Sequence, residues 1–282
     1  MSRYAFAIDV SRCDGCGSCF IACKDEYVGN DHLPFSAAQP PFGHKWLRLN
    51  EVEQGSEMKV KVDYITLMCQ HCQDPPCAKG TPEGAVTVRE DGIVILDSMK
   101  AAGCKEILSK CPYDAIFWNA EKQIPQKCNM CVHMLENGEK TTRCAESCPT
   151  KALLFGDLDN PESEISKYVA ERGDFTSFHP EFDTKPSVQY RELPAPFVTG
   201  EVLLSDAADA CAEGIQVTCI DAQGIRRQTV TDFLGDFQFK GLTKAGQYKI
   251  TIAHPGYQTV ETELITHTAK DLGTMILERK ST

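Results

Sequence analysis

The sequence predicts an α+β region followed by an all-β domain, and two patterns carry that prediction. Thirteen of the fifteen cysteines fall in four spaced groups between Cys13 and Cys148, and short apolar runs follow the Pro steps that close the later groups. Beyond Pro196 the grouping stops, and apolar residues alternate at period two between turn signals, the mark of half-buried strands. The chain has 282 residues, 42% hydrophobic and 24% charged, enough for two ordinary domains with real cores. Residues 1–190 and 196–282 are the expected units. A net charge of −11 argues against a nucleic-acid binder and suits protein partners. No apolar run reaches the length of a membrane span, and MSRYAFAIDVSRC has no signal-peptide core. A cytoplasmic location is therefore expected, although export folded on a signal-bearing partner would leave no trace here. In such a protein, fifteen cysteines point to metal ligation rather than a disulfide framework.

The first group, Cys13, Cys16, Cys19 and Cys23, has C-x2-C-x2-C-x3-C spacing, the bacterial ferredoxin run, in which three thiolates wrap one four-iron cube and the fourth reaches a neighbour. Zinc sites usually pair separate C-x2-C units, so iron-sulfur is favoured. The second group is Cys69, Cys72 and Cys77, closed by Thr81-Pro82 where Cys-Pro is expected. A threonine hydroxyl is a poor ligand for a soft iron-sulfide cube. The third group is nearly erased: Ala101 and Ile107 stand at the first and third ligand positions, leaving Cys104 and Cys111-Pro112. The fourth is Cys128, Cys131, Cys144 and Cys148-Pro149, with a long loop before Cys144 turning at Asn137-Gly138.

The exchange rule then assigns ligands. Pairing the first group with the fourth gives one set of Cys13, Cys16, Cys19 and Cys148, and a second of Cys128, Cys131, Cys144 and Cys23. Pairing the second with the third gives Cys69, Cys72, Cys77 and Cys111. Each thiolate is used once and Cys104 is left over, so three 4Fe-4S clusters are expected and a fourth is not.

Strand-like runs at Gly84–Val88, Ala115–Trp118 and Ala152–Phe155 repeat a loop, helix and hairpin unit. Residues 24–66 read as an insertion whose proline-rich half is either an ordered loop or plain surface coil. A charged helix is expected over 161–172 and a Pro- and Phe-rich loop over 174–196. Strands follow at 197–204, 215–220, 235–239, 247–252 and 272–277.

Four ordered cysteine groups over residues 1–155 resemble the electron-transfer subunits of the dimethyl sulfoxide reductase family, which have a duplicated ferredoxin-like iron-sulfur domain. The degenerate third group ending in CPY, the GHKW segment at Gly43–Trp46 and the extra β domain resemble a transhydroxylase branch acting on hydroxylated aromatics. The order TDFLGDFQFKGL then GQYKITIAHPGY is similar to the transthyretin-like, carboxypeptidase-regulatory-like β-sandwich, a seven-strand module that usually serves as a spacer or interaction domain. The resemblance implies an anaerobic heterodimer, or a multiple of it, with a large catalytic subunit carrying molybdopterin and molybdenum or tungsten. It also implies that this sequence holds no catalytic residue. Reductive removal of a ring hydroxyl, and a scaffold whose clusters mainly hold the fold together, stay open beside transhydroxylation.

Among the remaining candidates, Cys104 and Cys219 read as buried thiols, and a Cys211–Cys219 disulfide is disfavoured in a reducing compartment. His71 and His133 sit inside cluster loops, where packing competes with hydrogen bonding to a ligand shell. His32 and His44 read as loop residues. Met68, Met130 and Met134 read as apolar lining, and Lys127 and Arg143 as solvated charges.

Overall fold

The computed structural model describes residues 2–56, 59–207 and 211–280 and divides into two compact units, one of Met1–Glu51 with Asp63–Leu193, the other of Val52–Val62 with Pro194–Thr282. In sequence order, the first unit holds β1 (Tyr4–Asp9), α1 (Ser18–Tyr27), the bases of the hairpin β2 (Leu47–Ser56) and β3 (Lys59–Met68), β4 (Val86–Val88), β5 (Val94–Leu96), β6 (Phe117–Asn119) and β7 (Ile124–Gln126). Then come α2 (Val132–Glu136), α3 (Arg143–Glu146), β8 (Leu153–Asp157), α4 (Glu164–Arg172) and β9 (Val188–Arg191).

β1 is the centre of a three-stranded sheet, antiparallel to β8 and parallel to β9. Its residues Ala5–Asp9 are nearly inaccessible, as expected of a central strand covered on both faces. Ser163 caps α4 by accepting from the Ser166 amide, the usual device for an orphan first-turn donor. Asp9, itself buried, accepts from the Ser11 amide and hydroxyl, the Tyr168 hydroxyl on α4 and Arg191 on β9. Burial pushes its carboxyl up, but those donors outweigh it and hold the group below the ordinary carboxylate value. β4–β5 and β6–β7 are the two short hairpins of the duplicated unit.

The insertion is ordered. Gln39, His44 and Trp46 are buried, while Leu33 and Phe42 stay exposed. Lys24 on α1 pins the loop by donating to Gln39 Oε1 and to the carbonyls of Pro40 and His44 at 3.1–3.3 Å. Its second half, for which the sequence offers no element, is the hairpin β2–β3. The 174–196 loop likewise contains β9, whose pairing is wholly long-range.

The second unit contains seven strands besides the hairpin segment. β10 (Val198–Leu204), β13 (Asp236–Phe239) and β16 (Lys270–Leu277) form one sheet in the order β13-β10-β16. β11 (Gln216–Asp221), β12 (Arg226–Val230), β14 (Gly246–Ala253) and β15 (Val260–Thr266) form the other in the order β12-β11-β14-β15. Residues of both sheets, among them Val202, Phe237, Val217, Ile250 and Leu264, meet in one apolar core, which defines a sandwich. Cys219 is a buried free thiol of that core, and Cys211 is free and exposed. Within this unit Lys59 pairs with Asp236.

Candidate metal centres

The first unit brings twelve cysteine thiols together in three groups of four. Cys13, Cys16, Cys19 and Cys148 line one small pocket, with Thr66 and Leu153. Cys69, Cys72, Cys77 and Cys111 line another, with Ile116 and Lys127. Cys23 is buried against Cys128, Cys144 and Cys131, whose charges, after burial itself, push its thiol far above the ordinary value.

The local backbone explains these groupings. Cys19 and Cys23 are four residues apart on α1, so both thiols emerge on one face a turn apart, one in the first set and one in the second. The third residue turns left-handed in the C-x2-C loop that opens the first, second and fourth groups: Gly15 at φ 73°, His71 at 46° and Met130 at 56°. At Gly15 a side chain is excluded twice over, since a Cβ would lie 2.7 Å from the Tyr64 ring. At His71 and Met130 the conformation costs about 1–3 kcal/mol each, and at Met130 it aims the amide at sulfur. The Met130 amide donates to Cys128 Sγ at 3.4 Å and the Ala115 amide to Cys111 Sγ at 3.5 Å. Tyr27 buttresses the second set by donating to Asn129 Oδ1 at 2.6 Å, and the same oxygen accepts from the Cys131 amide.

Burial dominates the electrostatics. It pushes the thiols of Cys19, Cys77 and Cys128 up to about 12 and that of Cys72 to about 11, so the free protein holds them protonated and metal loading must release protons. Packing orders the sets. Cys128 of the second set packs against the cluster of Cys69 and Cys72 of the third, and α1 carries Cys19 of the first set one turn from Cys23 of the second. The second set therefore lies between the other two.

This arrangement fits iron-sulfur groups: soft thiolate donors in fours, in apolar surroundings, with amides aimed at sulfur. A further sign lies in the loop between Cys69 and Cys72. The Val94 amide donates to His71 Nδ1 at 3.1 Å, so the neutral ring carries its proton on Nε2, where it is buried and has no protein partner. Burial holds the imidazole well below its ordinary pKa, and a buried N–H without an oxygen acceptor suits a sulfur-rich neighbour.

The fourth position holds no such set. Thr81 donates to the Ala78 carbonyl at 3.0 Å, and Ala85, Leu96, Ala101, Cys104, Ile107 and Ile116 pack into one apolar cluster. Ile107 and Ala101 are fully buried. Gly103, third residue of the erased loop, nonetheless keeps φ 76°.

Among the described residues, Glu26, His32 and His133 also place ligand atoms within 4.8 Å of one another. The two imidazoles stack with centroids 3.8 Å and planes 16° apart. An imidazole ligates through an in-plane lone pair, and near-parallel rings cannot aim both at one ion. The group is a hydrogen-bonded network instead. Burial raises the Glu26 carboxyl, and Arg143 at 2.7 Å with His133 at 2.8 Å more than reverse it. Arg143 also pairs with Glu139 and Glu146. Lys127, read from sequence as solvated, is instead 4% exposed; no local pattern signals it, because its partner carbonyl at Val94 is remote in sequence.

The comparisons with known proteins agree with this geometry. Residues 60–158 match the 4Fe-4S dicluster domain and residues 198–276 the carboxypeptidase regulatory-like domain. This protein belongs to the iron-sulfur subunits of the dimethyl sulfoxide reductase family. It is 36% identical to one polypeptide of the anaerobic dimethyl sulfoxide reductase of Escherichia coli, over 67% of the present sequence and 92% of that relative. It is 38% identical to one subunit of the tetrathionate reductase of Salmonella typhimurium, over 70% of the present sequence and 75% of that relative. With the pyrogallol hydroxytransferase small subunit of Pelobacter acidigallici it shares 35% identity over 97% of the present sequence and 98% of the relative, a span that takes in the β-sandwich. No helix among the described residues is long and apolar enough to cross a membrane.

Proposed function

We propose that this protein holds three 4Fe-4S clusters, at Cys13, Cys16, Cys19 and Cys148, at Cys128, Cys131, Cys144 and Cys23, and at Cys69, Cys72, Cys77 and Cys111. In this reading it is the electron-transfer subunit of a complex whose large subunit carries molybdopterin with molybdenum or tungsten. The observation that carries it is the gathering of twelve thiols into three fours, with the middle set adjoining both others. A bound cube supplies one-electron exchange with little rearrangement. The protein's own residues supply the rest: thiols that give up protons on loading, amides aimed at sulfur, and apolar walls that keep water away. Catalysis and substrate binding then belong to the partner.

The match to pyrogallol hydroxytransferase over nearly the whole length favours transfer of hydroxyl groups between polyhydroxylated benzenes. The test is an anaerobic assay of the natively purified complex, checked first for about twelve irons in this subunit, four for each cluster. With pyrogallol and a trace of hydroxylated co-substrate, and neither donor nor acceptor, sustained formation of phloroglucinol is expected. Turnover of catechols only with reduced dye would make the complex a reductase instead.

A further inference from the structure

Lys127 combines features that no other lysine of the first unit combines. It follows β7, directly precedes Cys128, and lines the pocket of the third cysteine set. Its ammonium donates to the carbonyls of Val94 at 2.6 Å and Cys128 at 3.0 Å, and no carboxylate pairs with it among the described residues. Burying an ammonium without a counter-charge costs several kcal/mol, so a charge of opposite sign belongs close by. The thiolates of the third set and Cys128 are the groups placed to provide it. Lys127 lines one pocket with Cys69, Cys72, Cys77 and Cys111 and adjoins Cys128 in sequence.

The other cations near the cysteines are placed differently. Arg143, beside the second set, is neutralised by Glu26, Glu139 and Glu146. Arg12, near Cys148 of the first set, is exposed, where solvent weakens its field. Lys24 is partly exposed and turned toward the insertion loop.

We infer that Lys127 sets the reduction potential of the third cluster: its buried positive charge stabilises the added electron at Cys69, Cys72, Cys77 and Cys111 more than at the other two sites. The inference rests on the cluster assignment proposed above. Each reduction adds one negative charge to a cube, and a nearby cation in a low-dielectric setting favours that form. The carbonyls of Val94 and Cys128 hold the ammonium in place, so its position does not depend on solvent. The effect falls next on the cluster containing Cys128 and least on that of Cys13.

The experiment is an anaerobic redox titration of the whole complex followed by electron paramagnetic resonance, for the natural protein and for Lys127→Met, Lys127→Gln and Lys127→Arg, each with its iron content. In the neutral variants one cluster signal is expected to shift about tenfold toward the oxidised form at a given potential, ~59 mV for a one-electron couple. A second signal should move less, the third should stay, and Lys127→Arg should restore the natural value. If the neutral variants instead lose a third of their iron while Lys127→Arg keeps it, the charge serves loading of that site rather than its potential, and the inference as stated fails. Fully loaded neutral variants with unchanged potentials would overturn it. So would an equal shift of all three clusters, or an arginine variant as impaired as the methionine one. Absence of cluster iron and signal from the natural protein would sink the cluster assignment itself, an outcome distinct from these.

Discussion

The first unit is built from two cysteine pairings that share a plan and end differently. Where the first and fourth groups meet, α1, α3 and the loops beside them present a full complement of thiols to two neighbouring sites. Where the second and third meet, one site is complete and the other is filled with Ile107, Leu96, Ile116 and alanines. The same backbone plan thus supports a polar, metal-ready centre and an ordinary apolar core. At the ligand positions themselves, what separates them is three side chains, Thr81, Ala101 and Ile107, while the left-handed turn at Gly103 persists. Sulfur ligation and hydrophobic packing are alternative ways of holding the same turns together.

The sharpest way to break this comparison is to refill the erased site. Replacing Thr81, Ala101 and Ile107 together by cysteine returns four thiols with Cys104, in a loop that still has its left-handed residue at Gly103. Iron and labile sulfide per molecule are expected to rise by about a third, for one cluster added to three. No gain in iron would mean that the apolar plug has closed the position for good.

A smaller perturbation tests the plug by itself. Ile107→Ala empties a fully buried position and should cost about 2–5 kcal/mol, seen as a lower apparent melting temperature with iron content unchanged. Loss of iron alongside stability would show that the plug supports the neighbouring third set through Cys77, which packs in the same cluster.

The smallest effect belongs to the intact side. Asp9→Asn weakens the charge-assisted bonds joining β1, α4 and β9 and should cost about 2 kcal/mol, read as a denaturant midpoint shift at pH 7. Because the folded-state pKa is lowered, this contribution is fully present above the ordinary carboxylate value and is lost only as pH falls through the lower one. Neutral pH therefore reports its full strength.

The cysteine spacings are strong sequence signals because cube ligation demands short loops of set length. Apolar alternation likewise announces β11 and β14. What stays hidden depends on distant partners. β12 reads Arg226-Arg-Gln-Thr-Val230, with hardly an apolar residue, and is a strand only because β11 offers it an edge. β2–β3 is masked by its prolines upstream and by an exposed, charged stretch in Lys59–Val62. Lys127 looks solvated beside a motif, and its burial depends on β5 supplying the Val94 carbonyl. Glu26, His133 and Arg143 meet across more than a hundred residues, which no local pattern reports.

The left-handed glycine retained at position 103 has a bearing on how such proteins change over time. When a ligand loop can lose its metal and keep its shape, the number of redox centres stops being fixed by the architecture and can vary by a few point replacements. Ancestral states with four centres and descendants with three would then share one scaffold, with no passage through an unfolded intermediate lineage. A loop of this kind, without ligands but still holding its turn, is a ready place for a new centre.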